Sequence, residues 1–153
     1  MTLEALYQYE FPIRMFYEGP SMNSSPSPLM QAYFLLQEAA QEGFDWDSPF
    51  GAASKVKEEL DEVIEELHKA DTPTRQAALK EEIGDLFLAC CCLARHCNVE
   101  PEDAITLGLK KFMKRYTRFK FYAKERGISL QDASSDQLQN LWQFIKQVAI
   151  KKD

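Results

Sequence analysis

Apolar residues recur at intervals of three and four along most of the chain, a spacing typical of amphipathic helices. The pattern predicts five helices, and the first four begin at a proline. We expect them to run from Pro28 to a stop at Gly43, from Pro49 to about Ala70, from Pro73 to about Cys97, from Pro101 to about Arg126, and from near Ser135 onwards. The residues that precede the first three prolines are typical N-caps: Ser27, Ser48 and Thr72.

The connections between these helices are short, so the sequence predicts an all-α fold, an antiparallel helical bundle of about five helices. The exception is the N-terminal stretch, where apolar side chains alternate with a period of two from Tyr7 to Tyr17. Pro12 would confine any strand there to the edge of a sheet. We interpret residues 1–25 as an extended arm that packs on the bundle or on a second subunit, and residues 26–153 as one helical domain.

The composition fits one compact domain, because 153 residues with 45% apolar side chains can bury a real core. No stretch approaches the roughly 20 apolar residues that a membrane span needs, and no signal peptide is evident, so we expect a cytoplasmic protein. A net charge of -6 disfavours nucleic acid and membranes as partners. Three of the four cysteines, Cys90 to Cys92, are consecutive, which is not typical of a disulfide framework, so we expect buried, reduced thiols.

Six carboxylates crowd the second predicted helix between Glu58 and Glu66. At about 100° per residue, one side of this helix is apolar. The apolar side is formed by Val56, Leu60, Val63 and Leu67. The acids opposite to it, whose presence solvation explains, are Glu58, Asp61 and Glu65. Glu59 and Glu62 lie instead on one flank of the apolar side, with Glu66 beside them.

The third predicted helix carries Glu82 and Asp85 on the matching flank of its own apolar side. In an antiparallel hairpin these two flanks share one edge, and both acid pairs lie about 15 Å from the connection at 1.5 Å per residue. We therefore expect Glu59 and Glu62 to face Glu82 and Asp85. Gathered carboxylates repel one another unless a cation is present, and oxygen ligands alone suit Mg²⁺ or Mn²⁺. Acid-rich flanks are also common on solvated helices, so the geometry leaves both interpretations open.

Several motifs occur in a fixed order around these acids. The acids themselves form EExxE at residues 58–62 and ExxD at residues 82–85. The others are GFDW at 43–46, KVKEEL at 55–60, EEIGDLFLA at 81–89, LARH at 93–96, KFMKRY at 111–116 and LW at 141–142. In order and spacing the set resembles the C-terminal domain of bacterial MazG, a family of nucleoside triphosphate pyrophosphohydrolases. The resemblance covers about residues 28–146 and leaves the N-terminal arm outside.

The resemblance implies an enzyme that hydrolyses the α–β phosphate bond of nucleoside triphosphates and releases a monophosphate and pyrophosphate. It implies that Glu59, Glu62, Glu82 and Asp85 are catalytic residues that bind Mg²⁺, for which Mn²⁺ is a possible substitute. It also implies a homodimer or a larger homo-oligomer of all-α subunits. Glu58 or Glu62 would accept the proton of the attacking water.

The resemblance also identifies residues for substrate binding. Lys111 and Arg115 match basic phosphate ligands, and an arginine can bind a phosphate through two hydrogen bonds where a lysine cannot. Lys55 matches another basic position of the family's substrate site, Glu58 belongs to the same segment, and Trp142 matches a nucleotide contact. The alternatives are a solvated basic face for Lys111 and Arg115, and core packing for Trp142.

Four other residues give weaker evidence about the function. We expect Trp46 to pack in the core rather than to stack on a base, and His96 to cap a helix or lie on the surface. Leu109 and Cys92 stand where the family often has asparagine, which leaves substrate range and turnover open. Two further hypotheses therefore remain: a related enzyme restricted to a narrower substrate such as dCTP, dUTP or phosphoribosyl-ATP, and a helical interaction module that has lost catalysis.

Overall fold

The computed structural model describes residues 26–150, with side chains described as far as residue 147. The predicted N-terminal arm, residues 1–25, lies outside the described residues. Within residues 26–150 the chain forms five helices and no strand, which confirms the predicted all-α fold. In order, they are α1 (Pro28–Gln41), α2 (Pro49–His68), α3 (Pro73–His96), α4 (Pro101–Glu125) and α5 (Ser135–Ile150).

The helix ends follow local sequence signals. The three predicted caps each accept a hydrogen bond from a backbone N–H three residues on. The donor–acceptor distances are 3.3 Å at Ser27, 3.4 Å at Ser48 and 3.1 Å at Thr72. Gly43 and Gly127, just beyond α1 and α4, have φ values of 93° and 63°, in the left-handed region that favours glycine. The predicted helix boundaries are therefore confirmed to within a few residues.

The chain divides into two compact units, the first ending at Glu102 and the second beginning at Asp103, and we describe each by itself. In the first unit a connection of residues 69–72 joins α2 and α3, which pack against each other, while α1 packs on α3. Arg75 Nε donates a hydrogen bond of 2.9 Å to the Glu66 carbonyl near that connection. Residues equally far from the connection face each other, so the pair forms an antiparallel hairpin.

The buried side of α2 differs from the predicted one. Leu60 and Leu67 are 45% and 53% exposed, whereas Glu59 and Glu66 are buried beside Val63. The two acids can be buried because each pairs with a lysine on its own helix or just beyond it: Glu59 with Lys55, and Glu66 with Lys69. Paired charge therefore turns the acidic flank, rather than the apolar stripe, toward the neighbouring helix.

The cysteine prediction is partly wrong. Cys91 and Cys92 are buried on α3, but Cys90 and Cys97 are exposed. All four thiols are free, and Cys91 lies against α1 with its sulfur 4.0 Å from the Leu29 carbonyl oxygen. Neighbouring residues on a helix point in different directions, so the three consecutive thiols cannot all face the core.

In the second unit aromatic side chains of α4 and α5 contact one another. The Trp142 ring lies 5.7 Å from the rings of both Phe112 and Phe119, measured between centroids. Leu141 and Ile145 are fully buried beside them. None of the helices within residues 26–150 is both long enough and apolar enough to cross a membrane.

Candidate active site

Three carboxylates meet across the hairpin of α2 and α3. Glu59 belongs to α2, and Glu82 and Asp85 lie on one face of α3, since residues three apart on a helix are neighbours. One carboxylate oxygen of each residue lies within 4.8 Å of those of the other two. Glu59 is buried, Glu82 is half-buried and Asp85 is exposed, so the cluster extends from the helix interface to the surface. The arrangement can offer oxygen donors from both helices to one cation.

Lys55 lies against this cluster, one helical turn before Glu59. Its Nζ is 2.6 Å from Glu59 Oε1 and 2.7 Å from Glu58 Oε1. The hydrogen bond from Lys55 lowers the pKa of Glu59, and a hydrogen bond with Glu62 adds to this effect, while burial opposes it. The hydrogen bonds to Glu58 and then Glu59 raise the pKa of Lys55 well above its ordinary value. Lys55 therefore stays charged and keeps Glu59 ionised.

Glu62 adjoins the cluster as a fourth carboxylate. Its pKa is raised, first by its hydrogen bond with Glu59, then by burial, and then by the negative charges of Glu59 and Glu82. Among the described residues the Lys55 ammonium pairs with Glu58 and Glu59, so the four carboxyl groups of the cluster keep an excess of acidic groups that fits a divalent cation. Carboxylate oxygens without histidine or thiolate are the ligands that a hard ion such as Mg²⁺ prefers.

The acids predicted to face solvent lie outside the acid cluster, on the exposed side of α2. Glu58, Asp61 and Glu65 are all exposed. Asp61 pairs with Lys57 on the outer side of α2, where both side chains are more than half exposed. The helical wheel therefore separates the three exposed acids of α2 correctly from the flank that carries Glu59, Glu62 and Glu66.

A cavity of about 400 Å³ opens beside the acid cluster within the first unit. Lys55, Glu59 and Asp85 line it at the acid end. Its other lining residues come from α1, from the connection between α1 and α2, and from α3: Leu36, Phe44, Asp45, Trp46, Leu88, Ala89, Cys92 and Arg95. Trp46, which we expected in the core, is 45% exposed and lines this cavity instead. The indole packs against the first turn of α2, where a Cβ at Gly51 would lie only 3.3 Å from Trp46 Cβ.

A second charged group lies beside the cavity and was not predicted. Asp45 Oδ1 accepts hydrogen bonds from the Trp46 backbone N–H at 2.8 Å, from His96 Nε2 at 2.8 Å and from the Arg95 guanidinium. Burial raises the pKa of Asp45, but the hydrogen bonds from Arg95, from the Trp46 N–H and from His96 together outweigh it, so the pKa is lowered. The His96 side chain is only 10% exposed, so the predicted surface position is wrong.

This second group also has the elements of a metal site. Donor atoms of Asp45, Cys92 and His96 lie within 4.8 Å of one another. However, the Arg95 guanidinium binds the same Asp45 oxygen, and a fixed positive charge there opposes a cation. Asp45 and His96 are far apart in the sequence, and the only sign of their proximity is that both belong to motifs of the family resemblance, GFDW and LARH.

The predicted phosphate and base contacts of the second unit are arranged around α4. Lys111 and Arg115 are four residues apart and so project from one side of α4, where Lys111 is exposed and Arg115 is half-buried. Trp142 is half-buried against Phe112 and Phe119, and Leu109 is exposed. The basic pair and Trp142 thus belong to one unit, while the acid cluster and Lys55 belong to the other.

Comparison with known proteins identifies a known domain in the part of the chain that holds the acid cluster. The model of the MazG nucleotide pyrophosphohydrolase domain matches residues 47–119. A nucleoside triphosphate pyrophosphohydrolase/pyrophosphatase MazG of Thermotoga maritima is 33% identical over 118 residues, which are 77% of this chain and 44% of the relative. A nucleoside triphosphate pyrophosphohydrolase of Escherichia coli K12 is 34% identical over 122 residues, 80% of this chain and 46% of the relative. The uncharacterized protein YabN of Bacillus subtilis is 38% identical over 69 residues, 45% of this chain and 14% of that protein.

The chain spans less than half the length of the first two relatives. The matched residues 47–119 include the acid cluster, Lys55, Lys111 and Arg115, and they end before Trp142. The resemblance predicted from the ordered motifs is confirmed. Residues 47–119 of this chain therefore form a domain of the MazG nucleotide pyrophosphohydrolase family.

Proposed function

We propose that the chain hydrolyses nucleoside triphosphates at the α–β phosphate bond, releasing a nucleoside monophosphate and pyrophosphate, and that it needs a divalent cation, Mg²⁺ or in its place Mn²⁺. One observation carries the proposal: carboxylates from two facing helices approach within 4.8 Å of one another beside a cavity, in the part of the chain that matches the MazG domain. The names of the two bacterial relatives support the same reaction.

In this proposal Glu59, Glu62, Glu82 and Asp85 hold the cation. When bound, Mg²⁺ supplies charge neutralisation at the phosphate oxygens and makes a water molecule more acidic. Lys55 adds a positive charge at the acid end of the cavity, and its position beside Glu59 supports a role in binding phosphate. The family resemblance supports Lys111 and Arg115 as phosphate ligands and Trp142 as a nucleotide contact.

The general base is the other role to assign. Glu58 is exposed and already pairs with Lys55, whereas Glu62 is half-buried and hydrogen-bonded to Glu59. Glu62 is part of the acid cluster and Glu58 is not, so Glu62, as a ligand not fully used by the cation, would accept the proton of the attacking water. Glu58 is then a substrate-site residue that acts by orienting Lys55.

The test is release of monophosphate and pyrophosphate from a panel of nucleoside triphosphates, with Mg²⁺ and with a chelator in its place. We expect Mg²⁺-dependent release of both products in equal amounts. Glu59→Gln should lower kcat/KM by about 100-fold or more, because metal ligation contributes several kcal/mol and each 1.4 kcal/mol is tenfold. Glu65→Gln, an exposed acid on the same helix, is the matched control and should change little.

Other outcomes separate the alternatives. Hydrolysis of one triphosphate alone, such as dCTP or dUTP, or of phosphoribosyl-ATP, would support the narrower enzyme. If the chain hydrolyses no triphosphate and Mg²⁺ does not stabilise it, the result would support a helical interaction module that lacks catalysis. Equal losses in Glu59→Gln and Glu65→Gln would contradict the assignment of the metal ligands.

The subunit arrangement and location also belong to the proposal. We propose at least a homodimer, because α2 and α3 leave large apolar side chains exposed, including Ile64 and Phe87. We propose a cytoplasmic enzyme, since nucleoside triphosphates are substrates of that compartment.

A further inference from the structure

We propose that Asp45, Cys92 and His96 form a second metal site, separate from the acid cluster, and that this site binds Zn²⁺ rather than Mg²⁺. The proposal goes beyond the proposed function and does not depend on it, because it concerns other side chains and is tested by metal binding alone.

The three side chains carry the types of donor atom that zinc prefers. Cys92 offers a sulfur, His96 a ring nitrogen and Asp45 a carboxylate oxygen, and these atoms lie within 4.8 Å of one another. Cys92 and His96 are four residues apart on α3 and so project from one face of that helix. The two histidines of the helical HExxH zinc motif have the same spacing. Asp45 reaches this face from the connection between α1 and α2.

Small movements would bring the three donor atoms around one ion. Ligand atoms of a tetrahedral zinc ion lie about 3.3–3.6 Å apart, given bonds of about 2.0–2.3 Å. His96 Nε2 and Asp45 Oδ1 are 2.8 Å apart, so they need to separate by about 0.5 Å. The sulfur, at most 4.8 Å from either atom, needs to approach by no more than about 1.3 Å. Asp45 and Cys92 both line the cavity, which gives a water molecule access to the fourth position.

Arg95 is the group that opposes a cation here, and it discriminates between ions. Mg²⁺ would meet the guanidinium with Asp45 as its one charged ligand, so the repulsion would not be balanced. Zn²⁺ instead displaces the proton of the Cys92 thiol, which passes to the buffer as the zinc–sulfur bond forms. Thiolate and carboxylate together then cancel the two charges of the ion, and Arg95 faces a neutral centre.

The Arg95 guanidinium also contains a donor without an acceptor. Its Nε is buried and has no hydrogen-bond partner among the described residues, and an orphaned buried donor destabilises a fold. Burial lowers the pKa of Arg95, but the interactions with Asp45 and then with Cys92 outweigh it and raise the pKa. An ionised Cys92 would therefore add an acceptor beside this guanidinium. Hydrogen bonds from surrounding groups to the ligand atoms are a regular part of metal sites in proteins.

The test is titration of the reduced chain with Co²⁺ in the presence of excess Mg²⁺. A cobalt–thiolate bond absorbs strongly in the near ultraviolet, whereas cobalt held by oxygen alone, as at the acid cluster, does not. We expect this band to saturate at one Co²⁺ per chain and to disappear when Zn²⁺ is added, because thiolate and imidazole in a tetrahedral site suit zinc. Zn²⁺ should bind with a Kd of about 1 μM or lower. No thiolate band, or a band that Zn²⁺ does not remove, would overturn the proposal.

Substitutions locate the site. Cys92→Ser should abolish the band, and His96→Gln should weaken Co²⁺ binding by about tenfold or more, since each removes a ligand. Asp45→Asn should weaken it as well, because a neutral amide leaves one charge of the ion uncompensated. Cys97→Ser, which removes an exposed thiol just beyond α3, is the matched control and should change neither the band nor the affinity. A band that persists in Cys92→Ser, or unchanged affinity in His96→Gln, would overturn the proposal.

Thermal unfolding without metal shows whether each variant folds. If Cys92→Ser does not fold, the double variant Cys90→Ser with Cys97→Ser decides, because it removes the two exposed thiols and keeps Cys92. Retention of the band in that chain would support the site, and its loss would overturn it. Hydrolysis of triphosphates bears on neither result, so failure of the zinc site and failure of the proposed function are distinguishable.

Discussion

At Glu59, the neighbouring Lys55 lowers the pKa of the carboxyl group and burial raises it. The side chain is only 5% exposed, and burying a carboxylate is costly unless a cation or hydrogen bonds compensate. Within the described chain that compensation comes from Lys55 and from the hydrogen bond with Glu62. In the proposed enzyme, a cation that binds Glu59 would take over part of this role and leave Lys55 free to meet a phosphate.

Replacement of Lys55 tests this exchange. Lys55→Met keeps the length of the side chain but removes the charge, so the variant should be less stable than the wild type without Mg²⁺. Added Mg²⁺ should then stabilise Lys55→Met more than the wild type, by about 1 kcal/mol, or roughly 2–4 °C in Tm. Thermal unfolding with and without Mg²⁺ measures the difference.

The control for this prediction is Lys57→Met. Lys57 pairs with Asp61 on the exposed side of α2, where a surface ion pair contributes little. Its loss should not alter the response to Mg²⁺. The same increase in both variants would mean that Lys55 does not compete with the cation.

The sequence predicts part of this site and misses another part. The helical wheel separates Glu59 and Glu62 from the solvated acids because the angle between residues is fixed by helix geometry. The burial of Glu66 could not be predicted, since it depends on pairing with Lys69 beyond the end of the helix. The contact of Asp45 with His96 joins residues far apart in the sequence and has no local periodic signal.

At the scale of the helix, α2 is the element that carries the site. It presents Lys55, Glu59 and Glu62 on consecutive turns, so its first turn sets where these side chains lie. That turn begins with Ser48, whose hydroxyl accepts a hydrogen bond from the Gly51 N–H at 3.4 Å. The cap stabilises the helix from a position outside the acid cluster, so its loss should affect stability rather than chemistry.

The prediction for α2 compares two serines. Ser48→Ala should lower the free energy of unfolding by about 1 kcal/mol, the usual loss for an N-cap. Ser54→Ala should have little effect or stabilise slightly, because Ser54 lies inside the helix, where its hydroxyl bonds only the Phe50 carbonyl and alanine has the higher helix propensity. Urea unfolding measures both, and equal changes would contradict the capping role.

The helices could be predicted from sequence more completely than their packing. Proline, serine and glycine act on the adjacent backbone, so the starts and stops are local signals. The face that each helix buries depends on its neighbours. On α2 the structure buries Val63 from the predicted stripe but exposes Leu60 and Leu67, because paired acids occupy part of the interface with α3.

At the scale of the molecule, each of the two units has large apolar side chains that are exposed. In the first unit Ile64 and Phe87 are 42% and 63% exposed, and in the second Ile105 and Phe121 are 62% and 57% exposed. Exposed apolar side chains in such numbers are typical of surfaces that take part in protein–protein contacts. A second copy of the chain is the partner that the family resemblance implies.

Sedimentation at micromolar concentration tests the subunit arrangement. We expect a dimer or a larger homo-oligomer, and Ile64→Lys should shift it toward the monomer, because a buried lysine at an apolar interface costs several kcal/mol. Ser54→Lys adds the same charge at an exposed polar position of the same helix and should leave the mass unchanged. A monomeric wild type would remove the homo-oligomer from the proposal.

The acid cluster lies within a single hairpin, and this affects the order of folding. A connection of residues 69–72 is short, so closing the hairpin costs little chain entropy, and neighbouring helices of this kind meet within microseconds to milliseconds. During synthesis the hairpin is complete at His96, before α4 has left the ribosome. The four carboxylates are therefore brought together early, with Lys55 as the cation that pairs with Glu59, and Mg²⁺ in solution would speed that step by screening their repulsion.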